Sequence, residues 1–445
     1  MGVGSMTSLN PMPSWNKAAF YAVVAAVLAA IAGFGGVYVW VWAPLSLWLF
    51  AASVAVAAWM TVQGRRLPWH PVWIPVLAFG VFIFAQWHWR WSVYPGSTLT
   101  ELVQLAACGA VFFLAMVAGS QPVLVQRLGW ILLVFTGCMS LEAIAQYFTG
   151  NGYIYWFHNA TYASPVGPYV YHNHYTGCMD LLLPVCLALM FRKDLTRDPW
   201  WITWLRRSIV PALAFTSVLI SGSRGGVLAL LFESLILLVL FREQIWRQRR
   251  VRNFVILTAL LFCGFAFGGG WKIVSRRFHY LSAHQGRAIL TRWQVTQTCW
   301  QIWQSHPWLG TGFNTFSTVY PAFQSFDNGK IWLNAHDDFA QALAETGVAG
   351  MACVAAFLLL WGWTFYRRKR EKTGFAWRVR MGAFVGMAGF LFHSVGDFQF
   401  QAPANAFLFF LLAGIFFAPS LNDARENAAS PAASKLVVEF PSYAR

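Results

Sequence analysis

The chain predicts an all-α protein built into a membrane, and three features carry that reading. Apolar stretches of roughly 20 residues, the length that crosses a bilayer, recur from end to end. Charged residues make up 11% of the chain, against about 25% in soluble domains. One long polar interruption, Trp271 to Ala335, breaks the apolar pattern and runs into Asn334-Ala-His336-Asp-Asp338-Phe. Residues 1–445 therefore read as a single polytopic domain, with 271–335 as one long external loop that carries short helices.

Taken in order, the first apolar run lacks a basic flank and cleavage site, so Ala18–Gly33 is expected to be an uncleaved span. Trp42–Val62, Val72–Trp89, Leu99–Ala118 and Leu128–Phe148 follow. Tyr175–Phe191, the shorter Ser208–Ser221, Gly225–Phe241 and Asn253–Gly268 lead up to the long loop. Thr346–Tyr366, Val379–Val395 and Asn405–Pro419 complete a set of about twelve. Thr98-x-x-Glu101 fits a capping box at the start of the fourth span. Residues 420–445, rich in Ala, Ser and Pro among scattered charges, are expected to form a disordered cytoplasmic tail.

The net charge of +16 would suggest nucleic acid in a soluble chain, but here the membrane explains it, and no nucleic-acid partner is expected. With both termini placed in the cytoplasm, roughly three quarters of the 32 Lys and Arg residues fall on that side, as the positive-inside rule requires. Most of the external cations lie in the long loop: Lys272, Arg276, Arg277, Arg287, Arg292 and Lys330. The histidines sort the other way, with only His70 inside. Six of the seven cysteines fall within spans and none forms a C-x-x-C pair, which argues against a disulfide framework or thiolate metal site. No H-E-x-x-H or comparable ligand spacing appears, so neither metal nor cofactor is expected.

Chemistry is therefore sought on the external face. Ser221-Gly-Ser-Arg224-Gly-Gly joins two apolar runs by a tight turn that keeps Arg224 at or below the membrane edge. A cation there costs about 2.5–3.5 kcal/mol at mid-membrane unless it meets an anion, either a ligand or an in-span acid such as Glu233, Glu142 or Asp180. Arg287 and Arg292 open an amphipathic, aromatic-rich stretch, Arg292–Trp303, suited to lying on the membrane surface. Guanidinium forks match phosphate oxygens. His336 stands where a helix would emerge, with Asp337 and Asp338 in its first turn, and imidazole suits removal of a hydroxyl proton near neutral pH. It is the candidate base, with an interfacial or capping role as the alternative. Asn173-His174 and the pair His393 and Asp397, one helical turn apart, add polar groups to that face, the second pair with a structural alternative. Arg90, within the Trp- and His-rich belt Gln86–Trp91, is the lone external cation of the first half and could touch an acceptor phosphate.

In order along the chain, these motifs resemble the bacterial O-antigen ligase and O-antigen polymerase superfamily, from Tyr171 to Gly414. His172-Asn-His-Tyr-Thr-Gly177 is similar to its N-H-N-H-Y-x-G element, with Tyr171 in place of the first Asn. Ser221-Gly-Ser-Arg224-Gly matches S-x-S-R-G, and His306-Pro-Trp-Leu-Gly310-Thr-Gly312 matches H-P-x-x-G-x-G, with Arg292 as the upstream arginine. His336, Gly347 and Gly350 fit the ligase pattern of His, an Asn, Ser or Gln, nine residues and G-x-x-G, although Asp337 replaces the amide or hydroxyl and Met351 a following Thr. His393-Ser-Val-Gly-Asp397 looks like a late motif of one branch.

The resemblance implies a GT-C-like helical bundle in the bacterial inner membrane that transfers glycan, inverting and metal-independent, on the periplasmic face. The donor would be a glycan on undecaprenyl pyrophosphate, and the acceptor lipid A-core for a ligase or another lipid-linked glycan for a polymerase. Arg224 and Arg292 would hold the pyrophosphate, His336 would act as base, and Arg287 would be a reserve cation. Asn173, His174, Asp338, His393, Asp397 and Arg90 would line the substrate. A site of this kind requires both arginines and His336 to converge. A transporter would also accommodate twelve spans, but internal repeats of the kind common there are not evident, because no counterpart of the long loop appears in the first half.

Overall fold

The computed structural model describes residues 12–160, 164–191, 199–247, 291–326, 331–370 and 374–419, with scattered single positions between 249 and 260. These residues are helical, with two isolated β-bridges, Ile154 to His158 and Val166 to Tyr169, and no strand among them. The first six expected spans fall on Ser14–Ala32, Val39–Val62, Trp73–His88, Pro95–Gly119, Pro122–Thr149 and His172–Met190. Val210–Ser221, Arg224–Leu240, Asp338–Arg368, Gly374–His393 and Pro403–Phe417 carry the others. Among the described residues, five helices are long and apolar enough to cross a membrane: Ser14–Ala32, Val39–Val62, Pro95–Gly119, Pro122–Thr149 and Asp338–Arg368. The chain is a helical membrane protein. Most of the expected span at 253–268, Arg287 and the tail beyond residue 419 lie outside the described residues, as does the first part of the long loop.

The span that looked short in sequence is lengthened by an irregular start. Trp200–Trp204 runs through a π-turn, Leu205–Ile209, directly into Val210–Ser221. Pro211 explains the widened turn, since its ring would clash with the carbonyl four residues back in a regular helix. The capping box expected at Thr98 and Glu101 is absent. Pro95 starts that helix earlier, so Thr98 lies inside it and donates to the Phe313 carbonyl at 2.8 Å. Glu101 accepts from Asn314 at 3.2 Å. Both side chains fasten the helix to the long loop instead.

Helices approach closely where the sequence supplies small residues, the packing device of membrane interiors. Gly382 and Gly386 let the Gly374–His393 helix lie antiparallel on His172–Met190. A Cβ at Gly382 would meet Val185 Cα at 2.5 Å, and one at Gly386 would meet the Asp180 carbonyl at 2.9 Å. Gly119 and Gly414 seat Pro95–Gly119 against Pro403–Phe417 in the same way. At one end of the bundle, buried arginines close helix C-termini, where carbonyls lack intrahelical donors. Arg206 donates to the Leu189 carbonyl, Arg380 to Gly119 at 2.8 Å, and Arg368 to Ala418 at 2.5 Å. Burial of these cations is thus tied to hydrogen bonding rather than to exposure.

At the other end, the long loop locks into a break in the Asp338–Arg368 helix. Gly347 sits at φ +59 and ψ −162, splitting that helix in two. The amides freed at the break do not go unpaired: Val348 donates to the Pro307 carbonyl at 2.9 Å and Ala349 to Trp308 at 3.1 Å. Gly312 and Thr311 donate back to Glu345 and Ala344. Any Cβ on Gly347 would stand 2.5 Å from the Trp308 carbonyl carbon. Replacing Gly347 by Ala is therefore expected to destabilise by on the order of 1–3 kcal/mol, seen as a lower melting temperature in detergent. Gly362→Ala, in the same helix but facing open space, should leave that temperature unchanged.

Candidate active site

The polar groups at the loop-bearing end converge on Asp397. Its residue is 1% exposed, and it lies in the turn between the Gly374–His393 and Pro403–Phe417 helices. Oδ1 faces His336 Nδ1 at 3.5 Å and accepts the Phe398 amide at 2.9 Å. Oδ2 accepts a hydrogen bond from Asn173 Nδ2 and faces Arg292 Nη1 at 3.9 Å. Burial alone would raise the Asp397 carboxyl, but the adjacent His336 ring and the positive charge of Arg292 outweigh it and hold it well below the usual carboxylate range. A permanent anion therefore anchors both groups.

Arg292 comes from the helix 291–305, the amphipathic stretch expected from sequence. Val295, Cys299 and Ile302 are buried on one face while Trp293 and Trp300 are exposed, spacing that matches a helical stripe. Besides Asp397, the guanidinium donates to the Gly396 carbonyl at 3.2 Å and to Tyr171 Oη at 3.4 Å. Tyr171 in turn accepts from Asn173 at 2.9 Å and stacks on Phe398. Burial and the nearby Asp397 charge push its hydroxyl pKa up, so it stays protonated. Tyr171 was noticed in the sequence only as a departure from a motif; its position beside Asn173 was the available signal.

His336 is held from three sides. Its ring meets Phe398 edge-on at 4.5 Å and Trp332 at 5.6 Å, and its Nδ1 faces Asp397. The opposite ring nitrogen is then left for another partner. Its backbone is left-handed, φ +56, a conformation uncommon for residues with a side chain and often found where function fixes geometry. The next residue explains the departure from the family pattern. Asp337 caps the helix, with Oδ1 accepting from Phe339 at 3.1 Å and Ala340 at 2.9 Å. Asn, Ser and Asp cap about equally well, so Asp337 serves the same local purpose as an Asn or Ser at that position. Burial raises its carboxyl, opposed by those two amides.

Other expected site residues have been placed differently from one another. Asn173 belongs to the Asp397 cluster. His174, 6% exposed, bonds through Nε2 to the Phe398 carbonyl at 3.2 Å and packs edge-on against that ring. Asp338 accepts the Phe400 amide at 3.1 Å, while its own amide donates to Ser394 at 2.9 Å, so it stitches two loops together. His393 and Asp397 do not form the expected pair. The helix ends at His393, the chain turns, and His393 bonds to Asp180 at 2.7 Å instead. Arg90 is exposed, in a turn tied through Val93 to the Thr311 carbonyl rather than to Asp397. Arg287 is outside the described residues.

Arg224 starts its helix at Ser223, whose hydroxyl accepts the Gly226 amide at 3.1 Å. The two glycines after it are there for contact. A Cβ on Gly225 would lie 2.5 Å from His393 Nε2, and one on Gly226 2.5 Å from Thr176 Cβ. The turn bearing Arg224 thus rests on the helices that carry Asn173 and His393. A separate, mostly apolar cavity opens beyond Asp338 and Phe400, walled by Phe79, Phe357 and Phe407 and edged by Glu101 and Glu345. Neither Arg224, Arg292 nor His336 lines it. Glu345, unremarked in sequence, accepts from the Asn314 and Phe316 amides, both at 2.9 Å, and so pins the loop that follows Arg292's helix. Among the described residues, no three His, Cys, Asp or Glu side chains are grouped to hold a metal.

Fold and site together define a helical membrane protein with a carboxylate-centred cluster of imidazole, amide and guanidinium at one end of its bundle. Residues 209–355 match the O-antigen ligase family, which belongs to the superfamily that the sequence motifs resemble. The matched stretch contains Arg224, Arg292, His336 and Gly347 of the helix break. No curated protein matches the chain.

The depressed Asp397 carboxyl gives a signed expectation. Its contribution to stability is complete above the unfolded-state value near pH ~3.9 and is lost as the pH falls toward the lower folded-state value. Asp397→Asn should lower the melting temperature at neutral pH, with the gap to wild type narrowing below about pH 4. At the cap, Asp337→Asn should melt like wild type, whereas Asp337→Ala should lose about 1 kcal/mol.

Proposed function

We propose that the protein is a membrane glycosyltransferase of the O-antigen ligase type. It moves a glycan from undecaprenyl pyrophosphate to a sugar hydroxyl of lipid A-core on the periplasmic face of the inner membrane. The observation that carries this reading is one buried carboxylate, Asp397, within 3.9 Å of Arg292 and 3.5 Å of His336. An imidazole suited to act as base and a guanidinium suited to phosphate thereby stand beside one carboxylate, which supports the reading.

In the proposed reaction the acceptor hydroxyl gives its proton to the His336 nitrogen turned away from Asp397. Its oxygen attacks the anomeric carbon from the face opposite the leaving group, so configuration inverts. As that bond forms, the bond from the anomeric carbon to the pyrophosphate oxygen breaks, and negative charge grows on the phosphate. Arg292, more than a third exposed at its side chain, and Arg224 hold that charge, the electrostatic assistance that a good leaving group needs. Asp397 stabilises the imidazolium that forms, and its contact with Nδ1 keeps the ring oriented. Asn173 and Tyr171 fix the Asp397 carboxylate and the Arg292 guanidinium, and so serve the site from behind.

The nearest alternative is a polymerase, which shares the donor chemistry and uses a lipid-linked glycan as acceptor. The replacement at Asp337 does not favour it, since a capping carboxylate does the work of a capping amide. Twelve spans, cytoplasmic termini and a periplasmic site belong to this proposal and follow from the distribution of Lys and Arg.

His336→Ala should lower glycan transfer by about 10²–10⁴-fold, the usual contribution of a general base, and Arg224→Ala should abolish it, both with normal amounts of protein in the membrane. Unchanged transfer in the two variants rejects these roles. The lipopolysaccharide of a deletion strain discriminates the acceptors: free core with accumulated long chains is expected for a ligase, and single capped units would mean a polymerase.

A further inference from the structure

Beneath the Asp397 cluster lies a second ionisable pair that the proposed chemistry does not use. Asp180 and His393 are 2% and 3% exposed, and His393 Nδ1 meets Asp180 Oδ2 at 2.7 Å. They come from helices drawn together by Gly382 and Gly386. Of the two roles the sequence allowed for His393, substrate contact or structure, its burial against Asp180 favours the structural one.

The ring of His393 adjoins three of the segments that build the site. On one side Gly225, the residue after Arg224, lies against Nε2 with no room for a Cβ. On another, the Gln399 amide nitrogen stands 3.2 Å from the same Nε2 and donates to the Asn173 carbonyl at 3.2 Å. Gln399 lies two residues beyond Asp397, and Asn173 bonds to Asp397 directly. The Gln399 oxygen accepts from Asn405 at 3.5 Å, which itself donates to the His174 carbonyl at 2.9 Å. One imidazole therefore sets the spacing of the Arg224 turn, the Asn173 helix and the Asp397 turn.

Asp180 decides which imidazole nitrogen carries the proton. A carboxylate at Nδ1 keeps the hydrogen there and leaves Nε2 as an acceptor for Gln399. Without it, a hydrogen on Nε2 would point at the Gln399 amide donors. Gln399 would have to turn over, releasing the Asn173 carbonyl and opposing two donors at Asn405. We propose that Asp180 and His393 are positioning residues: through the fixed tautomer of His393 and the amide of Gln399 they hold Arg224, Asn173 and Asp397 in register. The inference rests on the glycosyl-transfer reading for its assay. A pair kept only for stability would be a weak choice, since buried polar pairs often do no better than apolar replacements.

The test is turnover per folded enzyme for Asp180→Leu and Asp180→Asn, with His336→Ala measured beside them. Asp180→Leu should lower kcat by on the order of 10²-fold, as misplacement of about 1 Å does, with KM for the lipid-linked donor changed by less than about threefold. Asp180→Asn, whose amide oxygen can still accept the Nδ1 hydrogen, should recover most of that loss. Wild-type kcat in Asp180→Leu, or equal loss in both Asp180 variants, would overturn the positioning role. Activity in His336→Ala would instead remove the base assignment, while the two Asp180 variants would still be judged on whatever turnover the enzyme shows.

Discussion

One buried negative charge organises this end of the molecule. A carboxylate removed from water is costly unless it is hydrogen-bonded and neutralised, and Asp397 meets that demand with an amide nitrogen, a side-chain amide, an imidazole and a guanidinium. The partners come from separate parts of the chain: the His172–Met190 helix, the helix 291–305, the segment before Asp338 and the turn itself. Satisfying one charge therefore brings distant motifs into a single site. The same electrostatics that make Asp397 tolerable also orient His336.

Glycine acts as the complementary constraint. At Gly225, Gly310 and Gly347 a side chain would collide with groups the site depends on, and at Gly310 and Gly347 the backbone is left-handed as well. The break at Gly347 has a second consequence. It exposes amides in the middle of an apolar helix, and the loop at Pro307 and Trp308 covers them. A loop that could otherwise move is thereby fastened to a long apolar helix, with Glu345 and Glu101 adding side-chain bonds to it. The helix 291–305, which carries Arg292, ends directly against that anchored loop.

The two ends of the bundle treat their cations differently. At the far end, arginines close helix C-termini and are consumed by carbonyls. At the site end, Arg292 keeps part of its guanidinium exposed while three oxygens steady it. A guanidinium fixed but not sealed is suited to recognising phosphate. Burying such groups within a helical membrane protein also keeps competing water away from them, which strengthens every charge interaction there.

Sequence alone determined the helical membrane class, most helix positions, the amphipathic helix behind Arg292 and the helix start after His336, because apolar length and local capping are written in contiguous residues. It also marked Arg224, Arg292, His336, Asn173 and Asp397, since polar residues in an apolar chain stand out by their cost. Tertiary structure decided the rest. His393 lies four residues from Asp397, but where the helix ends directed it to Asp180; Thr98 and Glu101 match a cap, but Pro95 moved the helix start and gave them to the loop. Asp180, Glu345, Tyr171 and Gln399 carry no local signature, because their roles arise only when separate segments meet. Spacing along a chain reports neighbours within one helix; which carboxylate meets which imidazole across helices depends on close packing, and here glycines set how near those helices come.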